Sequence, residues 1–206
     1  MALFISFEGG EGSGKSTHTR RLAERLERNG TDVLLVREPG STPLGQYLRN
    51  WLKQERQDDD VSPTAELLLF AAARAELVEK VIQPALANGT TIITDRFSDS
   101  TVAYQGYGRG ISLDEIDAVN NVATKGIIPN LTILLDCPPD VGLARGVDGK
   151  GQRRFEDESV GFHTRVREGF LSLAKATPNR WSVVDATQNH DAVADAIWSA
   201  VSERLD

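Results

Sequence analysis

A glycine-rich segment near the start of the chain has the residue types and spacing that bind a polyphosphate. Residues 9–16 read Gly-Gly-Glu-Gly-Ser-Gly-Lys-Ser and fit the pattern G-x-x-x-x-G-K-[ST]. Glycines let the backbone curl with its N–H groups turned inward, where they can bind phosphate oxygens at a helix N-terminus. Lys15 supplies a mobile positive charge for the β and γ phosphates, and the Ser16 hydroxyl is placed to ligate Mg²⁺.

This segment therefore predicts a site for ATP and Mg²⁺, with a glycine-rich turn that binds no nucleotide as the alternative. The residues predicted to contact ATP are Gly9, Gly10, Glu11, Gly12, Ser13, Gly14, Lys15, Ser16 and Thr17. The chain has no Asn-Lys-x-Asp segment of the kind that reads guanine. That absence from the sequence argues against a regulatory GTPase.

The phosphate-binding segment lies where a strand gives way to a helix. Residues 3–7 are a short apolar run of the kind that forms a buried parallel strand, and a helix is predicted over 15–28. Further apolar runs predict strands at 33–36, 91–94, 131–135 and 181–184. One helical pattern starts at Ser62-Pro63 and runs towards Ile82, and another ends the chain. Strands separated by helices imply an α/β domain whose parallel sheet is covered on both faces.

Length, net charge, cysteine count and hydropathy limit the classes of protein to which the chain can belong. Its 206 residues suit one domain, and a net charge of −7 argues against a general nucleic-acid binder, whose binding face would be basic. One cysteine, Cys137, excludes an intramolecular disulfide and suits a reducing cytoplasm. No apolar stretch approaches the roughly 20 residues that a membrane span needs, and residues 1–7 lack the pattern of a signal peptide. We therefore expect a cytoplasmic protein with neither a nucleic-acid nor a membrane partner.

Two arginine-containing segments follow predicted strands, at the sheet edge where ligands bind in parallel sheets. Arg37 opens the segment Arg-Glu-Pro-Gly after the second strand, where it could hold a phosphate through two hydrogen bonds. Asp95 and Arg96 close the third strand. Asp95 resembles a Walker-B carboxylate that holds Mg²⁺ or its waters, and Arg96 would be a second phosphate clamp. The structural alternatives are a surface turn with a local ion pair and a polar pair that caps the strand.

With these segments, the chain resembles the bacterial thymidylate kinases nearly from end to end. Six segments carry the resemblance in order: FEGGEGSGKST at 7–17, REPG at 37–40, FAAAR at 70–74, DRF at 95–97, STVAYQG at 100–106 and LDCP at 135–138. The resemblance implies a three-layer P-loop NTPase fold, with a parallel sheet of about five strands, helices on both faces and a mobile lid. It also implies transfer of the γ-phosphoryl group of ATP to dTMP, which yields dTDP for dTTP synthesis, by a homodimer.

The resemblance assigns roles to single residues. Phe70 would stack on thymine and Arg74 would bond a thymine carbonyl, and their i, i+4 spacing places both on one helix face. Without the resemblance, Phe70 would be interpreted as a core residue. Arg37 and Arg96 would hold the acceptor phosphate, and Glu11 would approach the 3′-hydroxyl of the sugar. The other residues expected to bind the substrate are Ser100, Thr101, Tyr104, which would crowd the sugar 2′ position, and Gln105.

A charged, glycine-rich stretch near residues 146–158 corresponds to the lid of the resembled family. That lid closes over ATP, excludes water and brings an arginine to the transferring phosphoryl group. The phosphate loop of this chain has no arginine, and family members of that kind place the catalytic arginine in the lid. The alternative interpretation is a solvated charged loop.

Lys150, Arg153 and Arg154 are the candidates for the lid cation, and Arg153 is favoured because its planar fork can hold two phosphoryl oxygens. Some relatives have arginines where this chain has Val147 and Gly149, so the choice among the three candidates stays open. The residues expected to take part in catalysis are Lys15, Asp95, Arg96 and Arg153.

Two rival functions are compatible with the phosphate loop. One is a kinase for another nucleoside monophosphate, against which Phe70 and Arg74 argue because an arginine donor suits a pyrimidine carbonyl. The other is a module that binds ATP without phosphorylating a small molecule. Such a module would have no need of the arginines at positions 37 and 96.

Overall fold

A parallel sheet lies at the centre of the fold in the computed structural model, which describes residues 2–53, 61–146, 155 and 157–205. The strands of the described residues are β1 (Phe4–Glu8), β2 (Val33–Arg37), β3 (Thr91–Asp95), β4 (Leu131–Asp136) and β5 (Trp181–Asp185). They are all parallel and lie in the order β2-β3-β1-β4-β5. All five residues of β1 are buried, as expected for a central strand covered on both faces.

Helices surround this sheet. In the described part of the chain they are α1 (Lys15–Arg28), α2 (Pro43–Lys53), α3 (Pro63–Leu77), α4 (Gln83–Ala87), α5 (Ser98–Thr101), α6 (Leu113–Thr124), α7 (Pro139–Gly146), α8 (Val160–Ala176) and α9 (His190–Ser202). A π-helical segment at Val78–Ile82 joins α3 to α4, and another at Val102–Gly108 continues α5. No helix of the described ranges is long and apolar enough to cross a membrane.

Apolar side chains on the two faces of the sheet form separate cores. Ile5 and Phe7 of β1 belong to a cluster that includes residues of α1 and α9, such as Leu26 and Ile197. Phe4 points to the opposite face, where it joins a cluster around the π-helical segment at Val78–Ile82. A third cluster packs α8 against Tyr104, Leu134 and Trp181. These clusters confirm the predicted three layers, with helices on both faces of a parallel sheet.

The predicted elements correspond closely to those observed, with specific differences. The predicted start at Ser62-Pro63 is confirmed, because the Ser62 side chain accepts a hydrogen bond from the Ala65 N–H at 3.3 Å. The helical stretch predicted to run towards Ile82 continues to Ala87. The helices α2, α5, α6 and α7 were not predicted. Of the predicted lid, Val147, Gly149, Lys150, Arg153 and Arg154 lie outside the described residues.

The carboxyl ends of the parallel strands meet at one edge of the sheet. The residues that end the strands there are Glu8, Arg37, Asp95, Asp136 and Asp185. The phosphate-binding segment follows β1 and leads directly into α1. The fold thus places the segments that the sequence singled out at a single edge, where they can contribute to one site.

Candidate active site

The phosphate loop, residues 9–16, has a backbone that depends on its glycines. Gly9, Gly12 and Gly14 have φ angles of 142°, 65° and 87°, in a region that residues with a side chain rarely adopt. A Cβ atom at Gly12 would lie 1.8 Å from the carbonyl oxygen of Gly142 in α7. Glycine at this position therefore allows both the curl of the loop and the close approach of α7.

The Lys15 side chain folds inside this loop. Its ammonium donates to the carbonyl oxygens of Gly9 at 3.1 Å and Gly10 at 2.7 Å, and to Ser13 Oγ at 3.2 Å. Burial lowers the pKa of Lys15 to about 8, and the nearby Arg96 adds to that effect. A desolvated ammonium aimed at the loop interior is a good partner for the anionic oxygens of a polyphosphate.

The two predicted metal ligands lie together beside the loop. Ser16 Oγ at the start of α1 donates to Asp95 Oδ2 at the end of β3, at 2.5 Å. A hydroxyl and a carboxylate are the hard oxygen ligands that Mg²⁺ prefers, with waters and substrate phosphates completing its shell. The described residues contain no group of three or more His, Cys, Asp and Glu that could hold a metal. The pair therefore fits a metal that takes most of its ligands from substrate and water.

A cavity of about 370 Å³ extends from the phosphate loop to α3. Its walls include every residue from Glu11 to Thr17, together with Asp95 and Arg96. Gly9 and Gly10 are not among the lining residues, although their carbonyls hold Lys15. The predicted substrate-binding residues that line it are Phe70, Arg74, Ser100, Thr101, Tyr104 and Gln105. One space thus connects the predicted donor and acceptor sites.

Arg96 is held rigidly in the middle of this cavity. Its guanidinium donates to the Gly9 carbonyl at 3.0 Å, to Ser100 Oγ at 3.1 Å, to Glu11 Oε1 at 2.8 Å and to the Tyr104 hydroxyl at 3.0 Å. The Tyr104 hydroxyl in turn donates to Glu11 Oε1 at 2.8 Å. Arg96 has a φ of 73°, and strained backbone of this kind in a non-glycine residue is typical of functional sites. The network fixes a cation next to the phosphate loop.

Phe70 lies at the other end of the cavity, where α3 contributes to the wall. Its ring is half-buried and lies 6.0 Å from the ring of Phe155, with the two planes tilted by 51°. One face of an aromatic ring on a cavity wall can stack on a flat heterocycle. The position therefore suits the base contact that was predicted for Phe70.

Arg74 lies one helical turn beyond Phe70 and is 2% exposed. It donates from Nε to Glu38 Oε2 at 2.8 Å, from Nη1 to Asn120 Oδ1 at 2.9 Å, and from Nη2 to the Phe97 carbonyl at 3.2 Å. A guanidinium has five N–H groups, so these three bonds leave two for a carbonyl in the cavity. The predicted role of Arg74 is compatible with this geometry.

Arg37, which was predicted to hold the acceptor phosphate, lies outside the cavity, and a different arginine lies in the cavity wall. Arg37 is exposed, donates to Gln46 Oε1 at 3.1 Å and is not among the residues that line the cavity. Arg49 of α2, which was not among the predicted site residues, does line the cavity and donates to the Pro39 carbonyl at 3.1 Å. The buried leucines Leu48 and Leu52, one helical turn apart, are the sequence signal that could have revealed this helix.

Two buried carboxyl groups form hydrogen bonds with residues of the cavity wall. Glu38 holds Arg74, and burial raises the pKa of Glu38 to about 7 although the charge of Arg74 opposes the shift. Glu8 ends β1 and accepts hydrogen bonds from Ser6 Oγ, the Phe97 N–H and Ser100 Oγ. Burial raises the pKa of Glu8 to about 7 as well. Neither carboxyl was predicted, because a buried acid cannot be recognised without its partners.

Arg145 places a positive charge in the cavity wall, directly before the predicted lid range. It lies in the last turn of α7, lines the cavity and donates to the Ala186 carbonyl at 2.8 Å. Phe155, within the predicted lid range, also lines the cavity. Arg145, which directly precedes the predicted lid range, and Phe155, which lies within it, thus line the same cavity as the phosphate loop.

A phosphate loop between the first strand and first helix of a parallel sheet defines a protein of the P-loop NTPase class, and the arginine-lined cavity beyond it is typical of a phosphotransferase. A sequence profile of thymidylate kinases matches residues 7–197. The chain is 51% identical over 203 residues to the thymidylate kinase of Synechococcus sp. (strain JA-2-3B'a(2-13)), with 98% of this chain and 96% of the relative covered. The chain therefore belongs to the thymidylate kinase family.

Further comparisons agree with this assignment. Over 213 residues the chain is 47% identical to the thymidylate kinase of Geotalea daltonii, with 100% of this chain and 99% of the relative covered. The crystal structure of thymidylate kinase from Ehrlichia chaffeensis superposes with a TM-score of 0.77 at 34% identity, covering 97% of this chain and 98% of that one. The resemblance and the fold class predicted from the sequence are confirmed.

Proposed function

We propose that this chain transfers the γ-phosphoryl group of ATP to dTMP, which yields ADP and dTDP for dTTP synthesis. The observation that carries the proposal is the continuous cavity between the phosphate loop and the wall formed by Phe70 and Arg74. A triphosphate in the loop and a monophosphate against Phe70 would meet near Arg96. The family assignment supports the same donor and acceptor.

The reaction needs positioning and cations more than covalent chemistry. A phosphate oxygen of dTMP attacks the γ-phosphorus in line, a new P–O bond forms, and the bond from the γ-phosphorus to the β–γ bridging oxygen breaks. That phosphate oxygen is already ionised, so it needs little help from a general base. In this proposal Lys15 balances charge on the β and γ phosphates, while Arg96 and Arg49 hold the acceptor phosphate.

We infer that the metal which accompanies ATP is Mg²⁺, held by Ser16 and Asp95. The support is their 2.5 Å hydrogen bond beside Lys15 and the oxygen chemistry of both groups. When bound, the ion neutralises charge on the β and γ oxygens of the donor. The hydroxyl and the carboxylate would orient it towards the phosphate loop.

The remaining parts of the proposal rest on the resemblance. A single kinase domain, with a lid near 146–158, would bring Arg153 to the transferring group, with Lys150 and Arg154 as the competing candidates. We also propose a homodimer, which the resemblance alone supports, and a cytoplasmic location, which Cys137, as a free and buried thiol, fits.

A coupled assay of ADP release across nucleoside monophosphates tests the function. With ATP and Mg²⁺, we expect dTMP to be the best acceptor, ahead of dUMP, dCMP, AMP and GMP. An arginine donor suits the pyrimidine carbonyls, and Tyr104 would restrict the 2′ position of ribonucleotides. Full activity on AMP with none on dTMP would overturn the proposed substrate while leaving the fold assignment intact.

A further inference from the structure

A buried carboxylate lies next to a residue of the cavity wall. Glu66 of α3 has no exposed surface. Its Oε1 accepts from Gln105 Nε2 at 2.9 Å and from Arg109 Nε at 3.2 Å, and its Oε2 accepts from Arg109 Nη2 at 3.3 Å. The three side chains therefore form a hydrogen-bonded group that begins at the cavity wall, where Gln105 lies, and runs through the buried Glu66 to the partly exposed Arg109.

This group determines which end of the Gln105 amide faces Glu66. A guanidinium has donors and no acceptor, so both oxygens of Glu66 act as acceptors towards Arg109. An amide oxygen opposite Glu66 Oε1 would place two acceptors against each other, so the NH₂ group must occupy that position. The Gln105 amide oxygen is then turned away from Glu66, and this side chain offers the cavity an acceptor.

An acceptor at this place distinguishes the pyrimidine bases. Thymine and uracil carry an N3–H donor beside a C4 carbonyl, whereas cytosine carries an N3 acceptor beside a C4 amino group. Arg74 and Gln105 both line the cavity. A base bound there would meet an arginine donor and an amide acceptor if both side chains contact it. With cytosine, the C4 amino group would meet the arginine donor and the N3 acceptor would meet the amide oxygen. Buried polar groups left unpaired in this way cost binding free energy.

We propose that Glu66 is a positioning residue for base selectivity, which holds the Gln105 amide with its oxygen towards the base and thereby favours dTMP over dCMP. This inference rests on the proposed function, because it concerns how the acceptor base is read. Glu66 acts through Gln105 and need not contact the substrate itself.

The first test compares kcat/KM for dTMP with kcat/KM for dCMP. In Glu66→Met the acceptor is lost, the Gln105 amide can rotate to present its NH₂ group, and we expect the dTMP/dCMP ratio to fall roughly tenfold. Glu66→Gln should keep nearly the wild-type ratio, because its amide oxygen can still accept from Gln105. As a control, Glu158→Gln removes a second carboxylate that accepts from Arg109 and should leave the ratio unchanged.

A double-mutant cycle separates positioning from a general structural effect. Gln105→Met should lower the same ratio, and adding Glu66→Met to it should lower the ratio little further, since the second change acts through the first. A purely structural role for Glu66 would change the rates with both substrates together and leave the ratio intact. That result would overturn the inference, even if dTMP remained the best substrate of the wild-type enzyme.

If Glu66→Met does not fold, a crystal structure of the wild-type enzyme with dTMP tests the inference instead. We expect Gln105 Nε2 to stay on Glu66 and the Gln105 amide oxygen to lie within hydrogen-bonding distance of thymine N3. A complex in which Gln105 leaves Glu66, or faces the phosphate, would overturn the inference and leave the proposed reaction standing. A wild-type enzyme that does not phosphorylate dTMP at all would overturn both.

Discussion

Lys15 and Arg96 are both in contact with the phosphate loop, but they are held in different ways. Lys15 bonds two backbone carbonyls and one hydroxyl of the loop, partners that the oxygens of a polyphosphate can replace. Arg96 is held by the side chains of Glu11 and Tyr104, so its guanidinium is positioned by the protein itself. We therefore expect Lys15 to act on the charge of the transferring group and Arg96 to place the acceptor.

Replacing Lys15 by methionine tests that division of roles. Methionine keeps much of the side-chain length and removes the charge, so we expect kcat to fall by about 10²-fold or more while the protein stays folded. Steady-state kinetics together with a circular dichroism spectrum measure both properties. Lys80→Met is the matched control, because Lys80 is exposed and pairs with Glu76 on the surface. A normal kcat in Lys15→Met would contradict the role of the phosphate loop.

Arg37 and Arg49 compete for one role, the binding of the acceptor phosphate. The sequence predicts Arg37, but Arg49 lines the cavity and Arg37 bonds Gln46 at the surface. We expect Arg49→Met to raise KM for dTMP about tenfold or more, as loss of a charge-assisted hydrogen bond should, and Arg37→Met to raise it much less. Steady-state kinetics on the two variants decide between them. A larger effect at Arg37 would support the original prediction and imply that its side chain turns inward when dTMP binds.

At the scale of elements, the inner strands β1, β3 and β4 could be predicted because each is buried along most of its length. The edge strands β2 and β5 are less buried, and they were found from their short apolar runs. Five buried residues in β1, and five of six in β4, read as uninterrupted apolar runs next to turn residues. The helix α3 was recognisable from its Ser-Pro start. These signals are local in the sequence, so no tertiary contact was needed to find them.

The parts that could not be predicted depend on contacts between distant segments. Glu66 stands within an apolar helix, and its burial becomes understandable only through Arg109, which lies 43 positions further along the chain. Arg49 faces the cavity because α2 packs against α3, an orientation that spacing alone does not give. Residues of the phosphate loop were found because their chemistry requires one contiguous motif. Arg37, Asp95 and Arg96 were singled out by their places after predicted strands, and the remaining site residues were placed by resemblance.

The contact between α7 and the phosphate loop makes a prediction at this scale. A Cβ atom at Gly142 would lie 2.3 Å from the carbonyl oxygen of Glu11, so Gly142→Ala must push the loop or the helix aside. We expect a loss of about 1–3 kcal/mol in the free energy of unfolding, as in other overpacked sites, and weaker ATP binding. Urea denaturation and calorimetric titration measure these.

Gly161→Ala in α8 is the matched control for that substitution. The nearest atoms to a Cβ there, on Arg165 and Ser159, lie at 3.8 Å, which is an ordinary contact distance. It should leave ATP affinity unchanged and stability equal or slightly higher, since alanine favours a helix over glycine. Equal ATP affinity in Gly142→Ala and Gly161→Ala would show that α7 does not hold the loop in place.

On the scale of the whole molecule, the parallel topology places the site segments at one edge of the sheet. It also places the carboxyl group of Glu8 at the end of the central strand, where it is buried. Glu8 ends the central strand, with Phe97 and Ser100 donating to it from the segment that follows β3. Its pKa is raised to about 7 by burial and by the negative charge of Asp99, although the hydrogen bonds and Arg96 oppose the shift. Folding therefore favours the protonated form of this residue.

The pH dependence of stability should reveal Glu8. Its pKa rises from 4.5 in the unfolded chain to about 7 in the folded one, so its contribution to stability is present below pH 4.5 and is lost as the pH rises through 7. Within that window the loss approaches about 1.4 kcal/mol per pH unit. Glu8→Gln resembles the protonated form and can still accept from Phe97, so it should gain stability relative to wild type between pH 5 and 8, by an amount that urea denaturation at each pH measures. Parallel stability curves for the two proteins would show that Glu8 titrates alike in the folded and unfolded chain.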